Sequence, residues 1–295
     1  MSEKAMPRLK ADTSVNKMTP PRFKAIWIVY AVLIAGCVVT VVPFLYTILA
    51  SFKTHAEIID PHHQSFFPRH FTAENYKTIF DDPSLPIERF YLNSILVAVS
   101  NVVTLLLSSA VFGFIFAKYH FRYKKVLFGY VLLTMMIPFQ LTMIPSYLIL
   151  LKFDLTNKLW GLILLNWFDA FGIFLMRQFM RNVPDELLDA ARVDGATEWQ
   201  IFFRIVIPQI KPALAAYGTF IFISSWNAYL WPLIVLKDQD VRTLPIILTW
   251  YNDRHTSNLG LVMAASVLLV MPILMVYFFF QRWFVRGFTL SGFKG

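Results

Sequence analysis

From residue 25 to residue 52 the chain carries no charged side chain, an apolar run of 28 residues. About 20 apolar residues already carry a helix across the hydrocarbon core of a bilayer. Five further runs follow, at 90–117, 126–151, 159–176, 212–236 and 256–281. The expectation is an all-α, polytopic membrane protein: six transmembrane helices over 25–281, a polar N-terminal tail at 1–24 and a C-terminal tail at 282–295. Composition agrees, with 57% hydrophobic and 15% charged residues, where soluble domains carry about a quarter charged. The polar lead is long and the run after it is full membrane length, so a cleaved signal peptide is not expected. Cys37, the single cysteine, lies inside the first run, which excludes an intramolecular disulfide.

The formal net charge is +9, and its meaning depends on where the charges lie. With the N-terminus in the cytoplasm, six spans place 18 of the 27 Lys and Arg residues there, but only 7 of the 18 acidic ones. That asymmetry is the positive-inside pattern. It puts both termini and the loop between the fourth and fifth runs in the cytoplasm. It also accounts for the basic balance by contact with a lipid bilayer, without nucleic acid. The outer loop at 51–89 gathers His55, His62, His63 and His70, yet contains no tight ligand pattern such as His-Glu-x-x-His. It reads as a solvated loop, and no metal site is expected. A second outer loop is expected at 237–255.

Several runs are interrupted from within. Pro138 and Pro145 lie in the third; such prolines free backbone carbonyls, for bending and lining a path or simply for packing. Asn166 and Asp169 lie in the fourth. An ionisable group in a span is a functional candidate by default, set against the alternative that it pairs with a neighbouring helix.

The longest polar interruption of the C-terminal half is 181–212, RNVPDELLDAARVDGATEWQIFFRIVIPQIKP. Two short helices can be read in it. Asn182 precedes Pro184 as a candidate N-cap, and Asp185 and Glu186 fall in the first turn, where the helix dipole favours negative charge. Leu187, Leu188 and Ala191 share a face by three- and four-residue spacing. Gly195 is the natural stop. Thr197-x-x-Gln200 matches a capping box that opens the second helix. Trp199, Phe202, Phe203 and Val206 make that helix apolar on one side, and Pro208 and Pro212 close it.

This segment resembles the cytoplasmic coupling loop of ABC importer permeases, which reads Glu-Ala-Ala, three residues, Gly, nine residues, Ile-x-Leu-Pro. Here Asp189-Ala190-Ala191 is followed after three residues by Gly195 and after nine more by Ile205-Val206-Ile207-Pro208. Asp189 for Glu keeps the charge, and Ile207 for Leu keeps the apolar character. The resemblance extends to Ser51-Phe52-Lys53-Thr54, to Phe71-Thr72-Ala73-Glu74-Asn75-Tyr76, to Trp226-Asn227-x-Tyr229-Leu230-Trp231-Pro232-Leu233, and to the tail Phe284-Val285-x-Gly287-x-Thr289 with Lys294-Gly295. These look like the maltose-type carbohydrate permeases, specifically the six-span subunit that pairs with a larger permease.

The resemblance implies a type I importer in a bacterial inner membrane. This chain would pair with a larger permease as a heterodimer, with two ABC ATPase subunits and an extracytoplasmic sugar-binding protein. The loop at 181–211 would dock into a cleft of an ATPase, with Asp189, Ala190, Ala191, Gly195, Ile205 and Pro208 as the coupling residues. ATP and Mg would be bound by the ATPases. This chain has no Gly-x-x-x-x-Gly-Lys-Ser/Thr and no Gly-Lys dipeptide at all, so it is not expected to cradle ATP phosphates by that route; the resemblance implies a non-catalytic subunit with no cofactor of its own. Sugars are commonly held by aromatic faces and polar groups. Asn166, Asp169, Trp226, Asn227 and Tyr229 have that chemistry, with belt or packing roles as the alternative for the aromatics. Two other functions stay open on the sequence: a permease for a non-sugar solute such as an amino acid or a phosphate compound, and an integral membrane enzyme using Asp169 and the loop histidines.

Overall fold

The computed structural model describes residues 23–62, 65–83, 86–254 and 258–292. The chain divides into two units, 1–46 and 47–295. Most of helix α1 (Phe23–Ala50) belongs to the first; its single charged residue is Lys24 in the first turn, Pro43 lies inside it, and Thr40 Oγ1 donates to the Gly36 carbonyl at 2.9 Å.

In the second unit all regular structure is helical among the described residues. Short helices α2 (His55–Ile59) and α3 (Glu74–Phe80) occupy the first loop. The two loop motifs noted above meet here. Asn75 Nδ2 donates to the carbonyls of Ser51 and Lys53, both at 2.8 Å, and Ser51 Oγ lies 2.7 Å from Tyr76 Oη. Phe52 packs on Tyr76 at 5.3 Å between ring centroids. His55 Nδ1 accepts the Leu259 N–H at 3.2 Å. Among the described residues no group of three or more His, Cys, Asp or Glu gathers as metal ligands.

The central element is α4 (Ile87–Lys118), which packs along α8 (Ala170–Met180) and α12 (Lys211–Trp226). A further helix, α15 (Leu259–Gly292), packs on α12. Close approach of α4 and α8 depends on glycine. A Cβ on Gly113 would sit 2.7 Å from Met176 Cβ and 3.0 Å from the Arg177 backbone nitrogen. The C-terminal carbonyls of α4 are met by cations: Arg177 Nε donates to Phe116 O at 3.1 Å, and Lys124 Nζ to Tyr119 O at 2.8 Å. That is the charge a helix C-terminus favours.

Three expected spans are broken. The third becomes α5 (Lys124–Thr134) and α6 (Phe139–Lys152), bent by 97°. Pro138 forces the break because it disfavours helical backbone at Ile137 and has no N–H to donate; Pro145 stays inside α6. The fourth becomes α7 (Leu159–Leu164) and α8, separated at 165–169. The fifth stops at Trp226 and resumes as α13 (Leu230–Val235). By length and apolarity, three helices among the described residues can cross a bilayer unaided, and up to five if each bent pair is one span.

Two segments read as loop or tail are helical. The stretch 237–255 contains α14 (Leu244–Arg254), whose Leu244, Ile247 and Leu248 are buried against Phe90, Ala264 and Ala265. Aliphatic residues in its first two turns find a core there, which an outer-loop reading by hydrophilicity overlooks. The sixth run continues helically through Gly292, so most of the segment expected as the C-terminal tail is a helical extension of α15. The tail 1–24 lies almost wholly outside the described residues, as do His63, Lys294 and Gly295.

Candidate functional site

The segment 181–211 folds as a hairpin set by local chemistry. Helix α9 (Asp185–Val193) begins with Pro184 at the N-cap position, and Asn182 instead donates to Gln178 O at 3.4 Å. The proposed Asn182 cap therefore does not form; the extended backbone that Pro184 adopts starts the helix without a side-chain acceptor. At the other end Gly195 has φ +82°. Its N–H reaches Arg192 O at 3.0 Å and the Ala196 N–H reaches Ala191 O at 2.9 Å. This pair of bonds is the Schellman arrangement, with glycine at the left-handed position. Thr197 then caps α10 (Glu198–Ile201) reciprocally with Gln200, at 2.8 and 3.3 Å.

After α10 the helix widens into a π turn at Phe202–Val206, with the Ile207 N–H bonded to Phe202 O. It precedes Pro208 in α11 (Ile207–Gln209), where a regular α-helix would bring the proline ring against the Arg204 carbonyl. The chain then turns by 81° into α12.

The hairpin is anchored from below. Leu188, Ile201, Phe202, Val206 and Ile210 are buried with Phe114, Met176, Met180 and Tyr217. Of the apolar residues assigned to common faces, Leu188 and Phe202 point inward, whereas Leu187, Trp199 and Phe203 are exposed. Trp199 and Phe203 stack on each other at 5.9 Å.

Polar contacts tie the same hairpin to the end of α4. The Lys118 ammonium, whose side chain is 4% exposed, lies 2.6 Å from Asp185 Oδ1. Its hydrogen bond holds the Asp185 carboxyl below the usual carboxylate range. Arg192 spans the turn, with Nη1 2.7 Å from Asp189 Oδ1 and Nε 2.8 Å from Glu198 Oε1. Glu198 also accepts from Tyr119 Oη at 2.5 Å. Hydrogen bonds from Arg192 and then Tyr119 lower the Glu198 pKa. Burial, then Glu198, pushes Tyr119 up to about 12. The sequence reading missed this clamp, since Lys118 and Tyr119 are 67 and 79 residues from their acidic partners. The outer side of the hairpin keeps Asp189, Ala190, Val193 and Gly195 exposed, with Val193 at 88%. Ile205 is half-buried and Pro208 exposed.

The polar residues assigned to the spans separate into two groups. Asp169 caps α8, accepting the Gly172 N–H at 2.9 Å, and its Oδ2 also accepts from Tyr217 Oη. Asn166 Nδ2 donates to Leu162 O at 2.9 Å. Both line a cavity of about 570 Å³ together with Asn101, Phe139, Ser225 and Trp231. Trp226 does not line it. It is 1% exposed, donates from Nε1 to Leu269 O at 3.0 Å and stacks on Phe222 at 5.8 Å. The packing alternative therefore describes Trp226, because the helix turns its indole toward α15. Asn227 and Tyr229, at the break between α12 and α13, are exposed and also lie outside the cavity lining.

Asn101 was missed, although an amide inside an apolar run is the signal that drew attention to Asn166. Its Nδ2 donates to Ser225 Oγ at 3.2 Å while Oδ1, also buried, has no partner. A buried polar atom left unpaired costs about 1–3 kcal/mol.

A family model described as binding-protein-dependent transport system inner membrane component matches residues 109–290, from within α4 through α15 and across the whole hairpin. The chain belongs to this family. It is a non-catalytic, multi-pass permease subunit of an ABC importer for carbohydrates or other solutes, a class of machine with separate ATPase and substrate-binding components. The permease is 37% identical over 258 residues to the arabinooligosaccharides transport system permease protein AraQ of Halalkalibacterium halodurans, covering 87% of this chain and 92% of that one. It is 33% identical over 258 residues to the lactose transport system permease protein LacG of Rhizobium radiobacter, covering 88% and 93%. Among solved structures it resembles a subunit of a bacterial ABC transporter involved in import of the acidic polysaccharide alginate, with a TM-score of 0.79 and 26% identity over 90% of this chain and all of that one.

Proposed function

We propose that this permease is the smaller, maltose-type membrane subunit of an inner-membrane importer for an oligosaccharide, disaccharide or polyol. It pairs with a larger permease and works with two ATPases and an extracytoplasmic sugar-binding protein. Six spans cross the bilayer, with 159–180 counted as one broken span and both termini cytoplasmic. The hairpin 181–211 docks in a cleft of one ATPase through Asp189, Ala190, Ala191, Gly195, Ile205 and Pro208.

The observation that carries this reading is the construction of the hairpin. It is capped at the turn by Gly195 and Thr197, seated on buried Leu188, Ile201 and Phe202, and bare on the side holding Asp189, Ala190 and Val193. A lever must move as one piece with the helices it drives, and this one shares its core with α4, α8 and α12. The ATPase shifts the permease between states only as far as it grips the hairpin differently in each. The sugar preference follows the arabinooligosaccharide and lactose relatives together with the motifs around Trp226–Leu233.

The test is co-purification of the ATPase with the permease pair and ATP-driven uptake into vesicles. Asp189→Lys and Gly195→Pro are expected to lose both while inserting normally. Full ATPase recovery with undiminished uptake overturns the docking assignment.

A further inference from the structure

Three broken helices meet at one place. Phe139 opens α6 after the Pro138 break, Asn166 and Asp169 lie in the break between α7 and α8, and Trp231 follows the break between α12 and α13. All four line the same cavity, opposite Asn101 of α4 and Ser225 of α12. In a membrane, interrupted helices are tolerated where the freed backbone is buried in protein or faces a polar cavity. Its volume of about 570 Å³ falls in the ~300–1,000 Å³ range of small-ligand sites.

The lining chemistry is selective. Two aromatic rings stand edge to face, Phe139 and Trp231, at 5.5 Å and 85°. Asn101 is 4% exposed, with one end of its amide bonded to Ser225 and the other unpartnered. Among the described residues no Lys, Arg or His lines the cavity, and the one carboxylate in the lining, Asp169, is engaged by the Gly172 N–H and Tyr217 Oη. A phosphate or uronate would enter with no cation to pair it and with the Asp169 carboxyl, already engaged, beside it. A buried charge without a partner is strongly disfavoured, whereas a neutral sugar offers hydroxyls to the amide and an apolar ring face to the aromatics.

We propose that this cavity is a station on the translocation path that contacts neutral, polyhydroxylated solutes and selects against anionic ones, with Asn101 the principal hydrogen-bonding residue. This rests on the importer reading above and narrows its substrate class.

The test uses the complete transporter with its cognate binding protein in vesicles. In a Cys37→Ser background, Ser225→Cys places a thiol beside Asn101, and its modification by a small polar thiol reagent is timed during ATP-driven turnover. The probes are arabinotriose, lactose, sn-glycerol 3-phosphate and an alginate trisaccharide. A transported neutral sugar is expected to slow modification at least threefold, and neither anion to do so. Asn101→Leu is expected to raise the KM for that sugar about tenfold. Asn101→Asp, nearly isosteric, is expected to do the same without disturbing assembly.

Uptake of a neutral sugar with no protection of the thiol and an unchanged KM in both Asn101 variants overturns the station while leaving the importer intact. A thiol unreactive in every state shows the cavity filled by the partner permease, and also overturns it. Uptake confined to the anions removes the selectivity. Failure of all ATP-driven uptake removes the importer reading and the station with it.

Discussion

Gly195 isolates one physical term in the coupling hairpin. Its φ is +82°, and a Cβ built there meets nothing within 4 Å. Replacing it therefore introduces backbone strain without a clash. A non-glycine residue in the left-handed region is disfavoured by roughly 1–2 kcal/mol, and asparagine is the better tolerated exception. That corresponds to about a 5–30-fold rise in the population of hairpins with the turn undone. The bonds released are Gly195 N–H to Arg192 O and Ala196 N–H to Ala191 O. Hydrogen exchange at Ala196 in the complex held in nanodiscs reads this directly. Exchange is expected to accelerate in the order Gly, Asn, Ala, Val, with Ala reaching the 5–30-fold range and Val at or beyond it. Uptake per ATP should fall in the same order, with membrane insertion constant. Equal exchange in Asn and Val variants would refute the argument, since it would mean the turn carries no left-handed requirement.

Other outcomes follow from the same geometry. Arg192→Gln removes the bridge between α9 and α10; the partners are well exposed, so the loss is about 0.5–1 kcal/mol, measurable as hairpin protection that depends less on salt than in wild type. Lowered pKa values at Asp185 and Glu198 mean their contribution is complete above about 4.5 and is lost as pH falls through and below 3.8. Hairpin protection should hold from pH 8 to 5 and drop on further acidification, and Lys118→Met should remove the Asp185 part of that drop. Asp169→Asn keeps a good N-cap and should leave thermal stability close to wild type, whereas Asp169→Ala should cost about 1 kcal/mol from the cap alone, read as a lower Tm in detergent. Trp226→Ala should destabilise by about 3–5 kcal/mol, with transport falling only as far as folded protein does; a raised KM at normal stability would return Trp226 to the solute path.

What could be read along the chain was whatever acts within a few residues or by composition alone. The first apolar run is a helix because 28 residues without charge leave its backbone no other way to pair its polar groups in hydrocarbon. Gly195 and the Thr197–Gln200 box were legible because a left-handed turn and a reciprocal cap are closed by atoms three to five positions apart. Pro138 and Pro145 were equally open to a bending or a packing role, and only the folded chain shows the helix breaking before Pro138 and running on through Pro145. Which side of an apolar element faces the core was not legible: in DELLDAAR and EWQIFF neighbouring residues are equally greasy, and only packing turned Leu188 and Phe202 inward while leaving Leu187 and Trp199 exposed. Nor could sequence say that Trp226 is a core residue and Trp231 a cavity wall, five positions apart on either side of a helix break. The clamp of Lys118 and Tyr119 on Asp185 and Glu198, and the meeting of three breaks around Asn101, join segments far apart in the chain. Such contacts carry no local signature; they exist only once α4, α8 and α12 have packed.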